Sequence, residues 1–336
     1  MSSASPSFEH LLRLSDDTGV LEHARGAVPR RTNGYCVDDV ARALLVISRE
    51  PEPPAAVAVL GERCLAFLTH AQSVDGRFHN RLGYDRRWED APGVGDWWGR
   101  ALWALGTTAV RHPDPWVRDA ARDCFSLGAT RRSTSPRSMA FAALGAAEVA
   151  ASEPDDEAAL ALLRAAAARI GRAGPDPAWP WPEHRLTYAN AVLPDALLAA
   201  GTALGDDRAV ADGLRLLGWL LDTETRDGHL SPTAVGGWGP GERRAVFDQQ
   251  PIEAASIADA CARAFTCTGH PKWLAGVDLA VAWFHGDNDG GVSLLDPSTG
   301  GGYDGLTASG PNTNQGAEST LALIATGQRA RAGAPG

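Results

Sequence analysis

The strongest constraint on this chain is a repeat of two kinds of helical segment that alternate along it. Apolar residues recur with a period near 3.6, and Ala and Leu, both strong helix formers, dominate. One kind has charged faces. It lies near Pro54–Gln72, Pro115–Leu127, Pro154–Ala173, Asp207–Thr223 and Pro271–His285, with Phe8–Leu14 as a short sixth member. Acidic or proline-containing starts suit helix N-termini. The other kind is poorer in charge and richer in Ala and Gly. It lies near Val37–Ser48, Asp96–Val110, Pro136–Ala150, Ala191–Leu204, Pro251–Phe265 and Asn314–Thr326. Helices that are apolar on most sides belong in an interior.

The linkers repeat too. Asp75-Gly76 closes one charged segment and Asp96 opens the next apolar one, 96 − 75 = 21 residues on; Asp227-Gly228 and Asp248 are spaced likewise, 248 − 227 = 21. A third copy runs from Asp289-Gly290 to Asn314, 314 − 289 = 25 residues. Phe67, Trp219 or Trp283 precedes each Asp-Gly. Such periods mark one supersecondary unit repeated, here a helical hairpin, although the irregular spacing is a poor fit to a regular solenoid. Six hairpins with an outer amphipathic and an inner apolar helix predict an all-α, closed (α/α)6 toroid. An open helical array is the alternative. No Pro/Ser-rich linker divides the chain, so 1–336 is expected to be one domain.

Composition removes several functions. There are 41 acidic and 31 basic side chains, a formal charge of −10, which argues against nucleic acid as a partner. Lys272 is the only lysine, which leaves little room for phosphate-loop or Schiff-base chemistry. No membrane span or secretion signal is visible. The five cysteines form no zinc spacing, and reduced thiols in a cytoplasmic protein are the simplest expectation. No metal and no cofactor are expected. Oligomeric state is not legible.

In a toroid the inner helices run the same way, so their N-termini ring one mouth. Those positions hold Asp38 and Asp39, Asp96, Arg137, Asn190 with Asp195, Asp248 with Gln249 and Gln250, and Asn314 with Gln315. The loops before them supply Tyr35, Tyr84, Trp88, Trp97, Trp98, Trp179, Trp181, Trp238 and Tyr303. Acids and amides bind hydroxyls, and flat rings stack on sugar faces, so a neutral polyhydroxylated ligand, an oligo- or polysaccharide, is expected. Asp is also a favoured N-cap, and for any single Asp capping competes with function. A ring of such residues is harder to explain by capping, and Gln249 and Gln250 are not favoured caps. Adjacent Asp38 and Asp39 repel, which raises at least one pKa. Glu253 fits a capping-box role.

These stretches resemble a known family. Asp16-Asp17-Thr18-Gly19, His23-Ala24 and Gly34-Tyr35-Cys36-Val37-Asp38-Asp39-Val40-Ala41-Arg42-Ala43-Leu44 are similar to bacterial (α/α)6 glycosidase-like proteins. So are Tyr84-Asp85-Arg86-Arg87-Trp88, Gly99 to Gly106, Ser135-Pro136-Arg137 and Phe247 to Ala254. Val40 stands where Asn is expected. Within that group the chain is similar to a mycobacterial hydrolase of methylmannose polysaccharide, an endo-acting α-(1→4)-mannanase. The resemblance implies a glycoside hydrolase on a mannose-type polymer. Asp38, Asp39 and Asp248 are then the candidate catalytic groups, with Asp248 as acid, Asp39 as base and Asp38 orienting, or acid and base reversed. Asp96 is the reserve. Tyr35, Arg87, Trp88, Asp96, Trp97, Trp98, Arg137, Trp181, Gln249, Gln250 and Tyr303 are the candidate substrate contacts. A sugar epimerase or isomerase, and a non-catalytic sugar-binding module, are the alternatives.

Overall fold

A computed structural model describes residues 7–333. Twelve helices run through it: α1 Glu9–Leu14, α2 Val37–Arg49, α3 Ala55–Ala71, α4 Asp96–Arg111, α5 Pro115–Gly128, α6 Pro136–Ser152, α7 Glu157–Ile170, α8 Val192–Leu204, α9 Asp207–Thr223, α10 Pro251–Thr268, α11 Lys272–Phe284 and α12 Ala317–Gly333. The even-numbered helices form the inner ring. Each packs on the next, α2 on α4, α4 on α6, and so on, and α12 returns to α2. The odd-numbered helices form the outer layer. The all-α toroid expected from the alternation is what the chain forms.

Burial explains the division. On α6 every residue from Arg137 to Ala147 is buried, whereas on α9 only Ala209, Gly213, Leu216, Leu217 and Leu220 are. The inner helices bury most of their surface, which a ring inside a ring satisfies. One hydrophobic cluster runs from Phe8 to Ala325. The closing seam is polar as well: the Gln328 amide donates to the Val46 carbonyl at 2.8 Å.

Side-chain caps fix the starts of two outer helices, α7 and α9. Asp156 accepts from Ala159 N–H, and Asp206 from the N–H groups of Arg208 and Ala209. The start of α7 is thus Glu157, three residues past Pro154, because Asp156 is the residue whose side chain closes the turn. The last inner helix begins at Ala317 rather than Asn314. Asn314 and Gln315 bond to loop partners instead: the Asn314 side chain accepts from Gly26 N–H, and the Gln315 amide donates to Asp296.

Four two-stranded antiparallel sheets decorate the toroid: β1 Ala24–Arg25 with β2 Val28–Pro29, β3 Tyr35–Cys36 with β4 Arg81–Leu82, β5 Thr225–Arg226 with β6 His229–Leu230, and β7 Gly305–Thr307 with β8 Gly310–Asn312. They belong to the loops that lead into inner helices, and so gather on one face.

Helices α4 and α6 are the most intimately packed pair. Their backbones meet at glycines: a Cβ on Gly145 would overlap the Leu102 carbonyl, and one on Gly106 the Gly145 carbonyl. Gly218 on α9 is different, since only the Trp273 ring, 3.9 Å away, faces it. Gly145→Ala is therefore expected to destabilise by about 1–3 kcal/mol through overpacking. Gly218→Ala should stabilise by about 0.5–1 kcal/mol, because alanine lowers the entropy cost of the helix. Urea unfolding midpoints of the two variants test the assignment; equal midpoints would contradict the close α4–α6 contact.

Candidate active site

Five inner helices carry a carboxylate in the first turn: Asp38 and Asp39 on α2, Asp96 on α4, Asp195 on α8, Glu253 on α10 and Glu318 on α12. On α6 that place is taken by Arg137. None of the first four helices is capped by a side chain. Capping therefore does not account for these acids. Negative charge is favoured at a helix N-terminus by the peptide dipoles, which makes such a gathering tolerable.

Asp38, Asp39, Asp96 and Glu318 share one sector of the mouth with two arginines. Arg42 lies one turn beyond Asp39 and bridges it at 2.5 Å to Glu318 at 2.6 Å. Arg100, one turn beyond Asp96, places Nε 3.1 Å from Asp38 Oδ1 and its guanidinium 3.8 Å over the Phe141 ring. Asp38 Oδ1 accepts no hydrogen bond among the described residues. Asp96 accepts from Ser138 Oγ at 2.6 Å and from the Tyr188 hydroxyl at 2.7 Å. The Asp38 side chain is 18% exposed and that of Glu318 39%, while Asp39 is buried behind them. Desolvation raises the pKa of Asp38 in spite of Arg42 and Arg100, and pushes Asp39 up to about 7 in spite of Arg42.

Below these groups a cavity follows the toroid axis. It is walled by all six inner helices, with Val46, Trp103, Phe141, Val192, Ala255 and Ala322 among its lining. A second charge layer closes its far end, where Asp259 meets Arg49 at 3.0 Å and Arg329 at 2.5 Å, and Asp195 meets Arg263.

A neighbouring sector braces α6, α8 and α10 together. Arg137 binds both oxygens of Glu183, at 2.9 and 2.8 Å, and the Asn190 side chain at 3.1 Å. Glu253 accepts from the backbone N–H groups of Ala189 at 2.5 Å and Asn190 at 3.2 Å. It thus binds the entrance of the neighbouring helix α8 rather than its own. Burial and the nearby Glu224 carboxylate push Glu253 up to about 8.

The expected contacts divide into several groups. Asp38, Asp39 and Asp96 come together. Asp248 is exposed at the entrance of α10, which is separated from α2 in the ring by α12. The groups acting most strongly on Asp38 and Asp39 are on α2, α4, α12 and Glu22, not on α10. Gln250 is half-buried next to Asp248, but Gln249 is fully buried and turned outward, taking the Trp283 indole N–H at 2.9 Å and donating to Asp289 at 2.6 Å. Arg137 is spent on the brace just described. Trp98 is wholly buried, its N–H on the Gly128 carbonyl. Trp97 donates to the Phe78 carbonyl at 2.7 Å. Trp88 stacks on His79 at 4.9 Å, against the outer layer. Trp181 is buried against Trp219. Tyr35 is buried with its hydroxyl on Asp16 at 2.7 Å. Tyr303 is half-buried and Arg87 is exposed.

Arg42, Arg100, Glu318 and Tyr188 belong to the site and were not singled out from the sequence. The i,i+3 and i,i+4 spacings Asp39/Arg42 and Asp96/Arg100 carried a signal for the arginines. Glu318 was hidden by the misplaced start of α12. Tyr188 carries no sequence signal. Glu22, Cys36 and Asp39 bring ligand-type atoms within 4.8 Å of one another. Glu22 is already paired with Arg81 and Asp39 with Arg42, so the charge that a cation would neutralise is neutralised.

No family model matches the chain, and no curated protein matches it in sequence. Solved structures do match in fold. A sugar epimerase from a ruminal bacterium superimposes with a TM-score of 0.74 at 12% identity, over 98% of this chain and 96% of that one. Cellobiose 2-epimerase from Bacillus thermoamylovorans gives 0.71 at 11%, over 96% and 95%. A GH76 α-mannanase from Bacteroides thetaiotaomicron gives 0.61 at 12%, over 88% and 86%. The chain shares the toroid of these proteins. Among the described residues no helix is long and apolar enough to cross a membrane.

The raised carboxyls set a pH dependence. Asp39 and Glu253 keep their protons in the folded chain up to about 7 and about 8. Above roughly pH 4, where exposed carboxyls ionise, the folded state therefore binds more protons than the unfolded one. Their contribution to stability is full at low pH and is lost as pH rises through 7 and 8. Asp39→Asn and Glu253→Gln should each flatten this decline, by an amount of order a few kcal/mol between about pH 4 and 8. Urea midpoints across that range are the measurement, and parallel profiles for wild type and both variants would refute it.

Proposed function

We propose that this chain is a glycoside hydrolase, inverting in mechanism, that cleaves an α-linked mannose-type oligo- or polysaccharide. The observation that carries this reading is the convergence of Asp38, Asp39, Asp96 and Glu318 on one mouth of the toroid, above its axial cavity. Inversion needs two carboxyl groups about 6.5–9.5 Å apart, one protonating the leaving oxygen and one activating water on the opposite face. Asp38 suits the base: its side chain is part-exposed at the mouth and its Oδ1 lies beside the Arg100 guanidinium. Asp39 lies behind it and acts through Arg42. Asp248, at the entrance of α10, is the proposed acid, with Asp96 as the other candidate. The similarity of 34–44 and 247–254 to bacterial (α/α)6 glycosidase-like proteins supports a glycosidase, and the fold shared with an α-mannanase supports a mannose polymer. An endo-acting α-(1→4)-mannanase is the narrowest form of the proposal.

The second reading is a sugar epimerase or isomerase, supported by the fold likeness to such enzymes over nearly the whole chain. Moving a proton next to a carbonyl at neutral pH is work suited to histidine. Helices α2, α4, α6, α8, α10 and α12 contain no histidine, which favours the hydrolase.

Incubation with α-(1→4)-manno-oligosaccharides and their O-methylated forms, followed by NMR, separates the two. New reducing ends that first appear as the β-anomer are expected. Interconversion of free sugars without new reducing ends would instead establish the second reading. Asp38→Asn and Asp248→Asn should each lower kcat by about 10²- to 10⁴-fold, as for loss of a general base or acid. Full activity in both would refute the assigned roles.

A further inference from the structure

The chain is acidic overall, yet residues 23–35 hold three arginines and no acid. They form the β1–β2 hairpin and the short 3-10 turn Arg31–Asn33 that follows it. Arg25, Arg30 and Arg31 are all exposed, and among the described residues none has a carboxylate within ion-pair distance. Arginines close by behave otherwise: Arg81 is paired with Glu22 and Arg86 with Asp17. Arg25 and Arg30, with Val28 and Pro29, line a shallow hollow on the hairpin. Arg31 holds its guanidinium 5.4 Å from the centroid of the Tyr84 ring. That ring is 45% exposed and is backed by Tyr35, 6.4 Å behind and nearly parallel.

The hairpin is fixed at the mouth. Gln315 N–H donates to the Gly26 carbonyl at 3.1 Å, Gly26 N–H to the Asn314 side chain at 3.0 Å, and Ala317 N–H to the Glu22 carbonyl at 3.0 Å. On its other side the chain runs through Tyr35 straight into α2. It therefore sits between the starts of α12 and α2, the helices that carry Glu318 and the Asp38–Asp39 pair.

We infer that this hairpin is a subsite for an acidic group on the saccharide, a carboxylate or a phosphate held by Arg25, Arg30 and Arg31. Exposed like charges this close in the chain repel, and no carboxylate among the described residues pairs with them; a bound anion would. Guanidinium groups match the planar or tetrahedral oxygens of such anions through paired N–H bonds. A neutral polymer would leave the arginines without purpose. A polynucleotide needs a far larger positive surface than one hairpin on a chain of charge −10. The inference rests on the saccharide reading above and adds that the substrate is neutral where it is cleaved and acidic toward one end.

The test compares three ligands of equal length by titration calorimetry in the Asp38→Asn background, where none should be consumed: a neutral α-(1→4)-manno-oligosaccharide, the same chain oxidised to the aldonate at its reducing end, and the same chain phosphorylated at its other end. At low salt, one or both acidic ligands should bind about tenfold tighter than the neutral one, the scale expected of a few exposed ion pairs. The preference should vanish in the R25S/R30S/R31S triple variant and shrink in about 0.5 M salt, where charges are screened over a few ångströms. Which acidic ligand gains tells carboxylate from phosphate. Equal affinity for all three, no binding by any, or a preference that survives the triple variant overturns the inference. Turnover by the wild type is read separately. Cleavage without charge preference leaves the hydrolase standing and this subsite refuted; charge-dependent binding without cleavage does the reverse.

Discussion

The structure depends on six helices that have no face fit for water. A helix buried on one stripe can lie on a sheet or another helix and keep its other side wet. The inner helices here are apolar nearly all round, most completely on α6, so each needs neighbours on both flanks and a cover outside. A closed inner ring inside an outer ring meets that need for six helices at once. Glycines on α4 and α6 show how tightly the requirement is met, since the two backbones touch where a methyl group would not fit.

Closure has a chemical consequence. Because each inner helix is followed by an outer helix that returns the chain, all six inner N-termini lie on one face. The groups found there are therefore neighbours although far apart in sequence, as Arg42 and Glu318 are. The helix dipoles favour the acids gathered at that face, and Arg42 and Arg100 divide the remaining charge between them. Burial works the other way, raising Asp38 and Asp39. The axial cavity beneath is apolar in its middle and charged at its far end, so polar chemistry is confined to the mouth.

Surface charge adds a further distinction. Most arginines of the chain serve the fold, tying loops to helices or closing the toroid. Among the described residues, Arg25, Arg30 and Arg31, on the β1–β2 hairpin and just after it, pair with no carboxylate. The division between arginines that hold the molecule together and arginines that face outward at the mouth follows from which of them have an acid within reach.

The sequence by itself determined the helices, their alternation and the ring. Those follow from local periodicity and from the impossibility of solvating an apolar helix, and neither depends on distant contacts. It also determined that acids would stand at inner-helix starts, because position within a helix is local. It did not determine where side chains point. Gln249 and Gln250 are adjacent, yet Gln249 is drawn outward by Trp283 and Asp289 while Gln250 is not. Trp88 and Trp98 carry the same ring as any sugar platform, yet one leans on His79 and the other lies wholly within the core. Glu318 entered the site because Asn314 and Gln315 found partners in a loop, which moved the helix start by one turn. Only the tertiary structure decided these outcomes, since each turns on a hydrogen bond or a packing contact to a residue far away in sequence.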